Sequence, residues 1–174
     1  MKRLLLSVVF AMFCTLAVQA QHIAYNERTP RINLKKCRWL DDIVPAEGEY
    51  VYIGFIYSRS NSCLEFCYRI KKRLEESNSP LRVILVTREP ERMVDSHLRP
   101  CLGGRIGTII DEDGEIFRDF GIRYVPFGVL IDSRRRAVWF GNPLTAEKDI
   151  VGDIHGSHKN KEAAKNKKRE KESK

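Results

Sequence analysis

The sequence predicts an α/β fold, a layered domain whose central sheet mixes parallel and antiparallel strands. Three observations carry this. A nearly continuous apolar, β-rich run over 51–57 is followed by an amphipathic stretch and a second apolar run over 81–87, LRVILVT. That strand–helix–strand order implies a right-handed parallel crossover. Further on, apolar stretches at 124–132 and 137–140 flank Arg134-Arg135-Arg136, a charged turn that reads as an antiparallel hairpin. The part of the chain with globular composition is about 130 residues, enough for one core. No internal repeat or second linker interrupts it.

The elements follow in order. Residues 22–44 are the least patterned: 28–34 reads as an extended lead-in, while Trp39-Leu40 and Ile43-Val44 supply apolar anchors. The turn Pro45-Ala46-Glu47-Gly48-Glu49 precedes the first strand, whose unbroken apolar character is that of a central strand covered on both faces. The helix begins at the serines. Ser62-x-x-Glu65 fits a capping box, with Ser60 the other candidate cap, and either choice puts Cys63 in the first turn. Cys63, Cys67, Ile70 and Leu74 then share one stripe, and Ser77-Asn78-Ser79-Pro80 ends the helix. After the second strand, 89–98 reads as a short helix closed by Arg99-Pro100. Gly103-Gly104 precedes a strand at 106–110, Asp113-Gly114 marks a turn, and 116–120 a helical turn. Thr145 is a candidate cap for a last helix through residue 154.

Two segments carry a resemblance. Phe55-Ile56-Tyr57-Ser58-Arg59-Ser60-Asn61-Ser62-Cys63-Leu64-Glu65 resembles, without a gap, the F-W-x-T-x-C-x-x-C-L-E run of periplasmic TlpA/ResA-type thioredoxin-like proteins. Val125-Pro126 with Asp132 resembles the V-P-x-x-x-x-x-D segment that holds a cis-proline opposite the helix-start cysteine in such proteins. The resemblance spans roughly 39–154 and implies a thioredoxin-like α/β/α sandwich with a mixed central sheet. It implies thiol–disulfide exchange with exported protein thiols or disulfides and a redox partner protein to recycle the site. It further implies a substrate-binding backbone at Val125 and Pro126. One position departs: Ser60 stands where the family has its attacking cysteine, and a hydroxyl cannot form a disulfide. Cys63 occupies the resolving position, so the ordinary two-cysteine cycle is not available.

Four cysteines lie outside the leader: Cys37, Cys63, Cys67 and Cys101. Four allow three complete pairings, and the sequence does not choose among them. A thiol in the first turn of a helix is made more acidic by the helix dipole and free N–H groups, which suits Cys63 as a central thiol. Cys63 and Cys67 form a shifted CxxxC pair. Their Cβ atoms on a regular helix stand about 5–6 Å apart, against roughly 3.5–4.5 Å in a disulfide, so a bridge there is strained and easily reduced. Alternatively, the site has lost its chemistry, the chain is a redox-inactive binding module, and Cys67 is a small core residue. A third reading takes Cys-x-x-x-Cys as similar to the thiolate pair of Sco-type copper chaperones. Those proteins add a histidine near the place of Pro126, so no metal and no cofactor is expected. Cys37 and Cys101 are candidates for a structural bridge, and Cys101 is also a candidate distant resolving thiol.

The two ends differ from the body. Residues 1–20 read as a signal peptide, with Lys2 and Arg3, an apolar run over 4–18 and Val18-Gln19-Ala20 as cleavage site. A membrane anchor is the competing reading, but about 15 apolar residues fall short of the roughly 20 needed to span. Cys14 lacks the small residues before it that a lipoprotein signal carries. The expected domain is 21–156, exported to the periplasm, where disulfides persist. Residues 157–174 read as a disordered basic tail. Of the net +8, two charges fall in the leader and five in the tail, which leaves +1 for the body and no case for specific nucleic acid binding. The tail itself allows weak electrostatic contacts with anionic partners. Asp111, Glu112, Asp113 and Glu115 lack calcium-loop spacing and read as a solvated turn.

Overall fold

The structure, a computed structural model, describes residues 23–77, 79–145, 150 and 154. The expected leader at 1–20 and tail at 157–174 lie outside the described residues, as does most of the expected last helix. Among the described residues, no helix is long and apolar enough to cross a membrane.

Five strands form one sheet: β1 (Tyr50–Phe55), β2 (Leu81–Thr87), β3 (Ile106–Ile110), β4 (Phe127–Ile131) and β5 (Ala137–Gly141), in the order β3-β2-β1-β4-β5. β2 runs parallel to β1 and β3, pairing Phe55 with Val86 and Val83 with Ile106. β4 runs antiparallel to β1 and β5, with Phe55 opposite Phe127 and Gly128 opposite Gly141. Helix α1 (Asn61–Glu76) makes the crossover from β1 to β2, and the short α2 (Glu115–Asp119) follows β3. This is the expected mixed sheet of a thioredoxin-like α/β fold.

Alternate side chains of the strands feed two cores. On the α1 face, Tyr52, Val83, Leu85, Ile106 and Leu130 pack with Cys63, Phe66, Cys67, Ile70 and Cys101. On the opposite face, Ile53, Phe55, Ile84, Val86, Ile109 and Val129 pack with Trp39, Phe117 and Phe120. Because both faces are covered, every residue of β2 is buried, and the period-two alternation is absent from the sequence of that strand.

Local predictions needed four corrections. The helix cap is Ser60, not Ser62: its carbonyl accepts the Leu64 N–H at 3.0 Å, while its side chain makes no capping bond. Glu65 therefore takes no part in a capping box and instead lies 3.8 Å from Arg69 on the exposed face. The helix expected over 89–98 is replaced by two 3-10 segments, Glu91–Met93 and Ser96–Cys101. Pro100 cannot donate to a helical ladder, and Asp95, which accepts the His97 N–H at 2.8 Å, starts a new turn instead of continuing one. Val44 is exposed, and Pro45 takes its place as the buried anchor, against Gly107. Finally, Asp111 is not solvated: it is buried and accepts the Ile116 and Phe117 N–H groups at 3.2 and 3.1 Å, which caps α2.

The Tyr52 ring crosses Gly128, where a Cβ would stand 1.8 Å from its hydroxyl oxygen. The ring is held there by Phe66 and Trp139, with centroids at 5.4 and 6.3 Å. Gly128→Ala is therefore expected to cost about 1–3 kcal/mol, seen as a lower urea midpoint with an unchanged m-value. The Tyr52 hydroxyl has no hydrogen-bond partner among the described residues, so Tyr52→Phe is expected to raise stability by about 1 kcal/mol in the same assay.

Candidate functional site

The site is built where β1 ends, α1 begins and β4 starts. After Phe55 the chain turns through Tyr57-Ser58-Arg59-Ser60, closed by the Ser60 N–H bonding the Tyr57 carbonyl at 3.0 Å. Because Phe55 pairs with Phe127, residues 125–126 run alongside the start of this turn. The Val125–Pro126 peptide bond is cis; Pro126 is buried, and Val125 packs partly into both cores.

Cys63 lies in the first turn of α1, and its Sγ accepts the Tyr57 N–H at 3.4 Å. That bond draws the thiol inward beneath the turn, so Cys63 is 0% exposed. Ser60, the N-cap residue of α1, is half-exposed. Cys67, one helical turn further, is also 0% exposed, and Cys101, at the end of the second 3-10 segment, is 1% exposed. These three thiols share the α1-face core. Cys37 packs against the other face of the sheet, where its thiol donates to the Asn33 carbonyl at 3.3 Å. A Cys37–Cys101 bridge is thus excluded by the intervening sheet, and all four thiols are free. Among the described residues, no group of three or more His, Cys, Asp or Glu side chains is arranged to hold a metal ion.

Glu89 is the residue that sequence reasoning missed. It was expected as the first residue of a helix, yet it is 6% exposed beneath the turn. Its carboxyl oxygens accept the Ser58 N–H at 2.5 Å, the Ser58 hydroxyl at 2.9 Å and the Thr87 hydroxyl at 2.9 Å. The Ser58 oxygen in turn accepts the Asp95 N–H at 2.8 Å. One buried carboxyl group thus ties the cysteine turn to the end of β2 and to the segment leading to Cys101. The available signal was Glu89, two residues past the end of a largely apolar strand at Thr87, beside a serine in the neighbouring turn. Around the mouth, Tyr57 and Tyr124 are 46% and 54% exposed. Arg59 and His97 hold the Asp95 carboxyl below its usual range, mainly through the His97 backbone and side-chain hydrogen bonds.

Burial pushes the Cys67 thiol well above its ordinary 9.0, and the Cys101 and Cys63 sulfurs push the same way. Burial also raises Cys101, against the pull of Lys71, and raises the Tyr52 hydroxyl beside Cys67. The folded state therefore keeps protons that the unfolded chain would release.

No protein-family model and no curated protein sequence matches the chain. Solved structures do. The chain is similar to a putative protein disulfide isomerase from Bacteroides thetaiotaomicron, with TM-score 0.59 and 18% identity over 78% of this chain and 89% of that one. It is similar to a thioredoxin-like protein from Aeropyrum pernix, with TM-score 0.52 and 14% identity over 70% and 81% of the two chains. The thioredoxin domain of a thiol-disulfide oxidoreductase from Bacteroides vulgatus gives TM-score 0.51 and 15% identity over 68% and 88%. At these identities the likeness establishes the thioredoxin-like fold.

Two outcomes follow from the site. Glu89→Ala strands the Ser58 amide and two hydroxyls and is expected to destabilise the fold by about 2–3 kcal/mol in urea unfolding. Stability is expected to fall as pH rises through 9.0, because above that value the folded state binds more protons than the unfolded one; Cys67→Ala flattens that decline.

Proposed function

We propose that the chain is an exported thiol–disulfide exchange protein in which Cys63 is the central thiol, with Cys67 or Cys101 as its partner. Exported protein thiols or disulfides are the substrates, docked against the backbone at Val125 and Pro126, and a separate redox protein recycles the site. The observation that carries this reading is the Cys63 Sγ at the first turn of α1, accepting the Tyr57 N–H, with two further free thiols in the same core. A thiolate formed there is stabilised by that N–H and by the unpaired amides of the helix start. The thioredoxin-like fold supports the same chemistry.

A second reading, a redox-inactive binding module, is favoured by the complete burial of Cys63 beneath a serine-bearing turn. Under it, the exposed Tyr57 and Tyr124 and the 125–126 backbone hold a peptide without any covalent step. The first reading needs the 57–60 turn to open for a protein disulfide, and that requirement separates the two.

The test is disulfide reduction assayed with a small peptide disulfide and dithiothreitol as the recycling reductant. Exchange predicts turnover by the wild-type chain that falls to background in Cys63→Ala, while Ser60→Ala leaves it unchanged. Wild-type activity at background, together with peptide binding that survives Cys63→Ala, would establish the binding module instead.

A further inference from the structure

Three buried thiols on one face of the sheet are one more than a single exchange site uses, and their arrangement along α1 assigns them different tasks. The segment Ser96–Cys101 docks over the second and third turns of the helix, not over its start. The Tyr68 hydroxyl donates to the His97 carbonyl at 2.9 Å, and Lys71 Nζ donates to the Pro100 carbonyl at 2.6 Å. Tyr68 and Lys71 follow Cys67 by one and four positions, so these bonds seat Cys101 against Cys67, while Cys63 stays one turn back beneath Tyr57. All three thiols belong to the same buried cluster on the α1 face of the sheet.

We propose that Cys67 and Cys101 form the disulfide in which the oxidised protein rests, and that Cys63 passes the bond inward to them. This rests on the exchange reading above and names its resolving pair. Cys63 first attacks the disulfide of an exported partner; that S–S bond breaks, one half leaves as a thiol with the proton Cys63 gave up, and Cys63 is joined to the other half. The Cys67 sulfur then attacks the Cys63 sulfur, and the second half leaves as a thiol carrying the Cys67 proton. The resulting Cys63–Cys67 bond joins residues four apart on a regular helix, where Cβ atoms stand about 5–6 Å apart and a disulfide wants roughly 3.5–4.5 Å. It is strained and transient. The Cys101 sulfur attacks Cys67, its proton passes to Cys63, and the bridge moves to two separate elements free of the helical constraint. In sum, the partner disulfide is reduced to two thiols, and Cys67 and Cys101 are oxidised to one disulfide.

The experiment treats the reduced chain with glutathione disulfide, quenches in acid, alkylates free thiols and maps the links by mass spectrometry. Trypsin alone leaves Cys63 and Cys67 on one peptide, and a glutamate-specific protease separates them by cutting after Glu65. The expected product is a Cys67–Cys101 link with Cys63 alkylated. Cys37, beyond the sheet, stays outside the link and serves as a control. In Cys101→Ser, glutathione is expected to accumulate on Cys63 several-fold over wild type. A Cys63–Cys67 or Cys63–Cys101 link as the end product overturns the pairing and leaves exchange standing. All three thiols free, with no glutathione adduct, overturns exchange and the relay together. The wild-type map decides the pairing even if the variant fails to fold.

Discussion

The Glu89 carboxyl group, buried at the end of β2, accepts hydrogen bonds from the Ser58 amide, the Ser58 hydroxyl and the Thr87 hydroxyl. Burying a carboxyl group without such partners would cost several kcal/mol, so the bonds are a condition of its position and not an addition to it. They fix the 57–60 turn against the sheet. From that turn follow the start of α1, the inward direction of the Cys63 thiol and, through the Asp95 amide on Ser58, the path of the segment that ends in Cys101. The candidate chemistry stands on a polar clamp made of neutral donors.

That clamp sets a tension between reactivity and access. The Tyr57 N–H that meets the Cys63 sulfur also holds it under the backbone, where it is fully buried, while Ser60 of the same turn is half-exposed. One turn along, burial holds the Cys67 thiol well above its ordinary range, and the Cys101 and Cys63 sulfurs push the same way. Under the exchange reading, reaction requires the 57–60 turn to open, and the Glu89 bonds are the contacts that such an opening breaks.

Much of the fold was legible in the sequence for simple physical reasons. β2 shows its bounds in the sequence because a strand buried on both faces is a largely apolar run, here interrupted at Arg82, and α1 does because its cysteines, Ile70 and Leu74 keep helical spacing while charges fill the other face. The charged turn Arg134-Arg135-Arg136 marked the β4–β5 hairpin, where Arg135 takes a φ of 63°. The failures were places where tertiary partners outweigh local pattern. Ser62 and Glu65 satisfy a capping box on paper, but the turn's own bonds start the helix at Ser60. Glu89 has the composition of a helix start, and only the juxtaposition of two loop ends reveals it as a buried acceptor. Cys101 is the plainest example: its place beside Cys67 depends on two side-chain-to-carbonyl bonds between remote segments, which no spacing in the sequence encodes.

The central claim is that Cys63 is the thiol through which the chain reacts. The most direct measurement is the rate of alkylation of each cysteine in the native, fully reduced chain, using isotope-coded iodoacetamide in a timed pulse near neutral pH. Cys63 is expected to be modified well ahead of Cys67 and Cys101, with a rate that rises when Glu89→Gln weakens the clamp on the turn. Cys63 modified as slowly as Cys67, at the rate of global unfolding, would contradict it and leave the three thiols as small residues of the core.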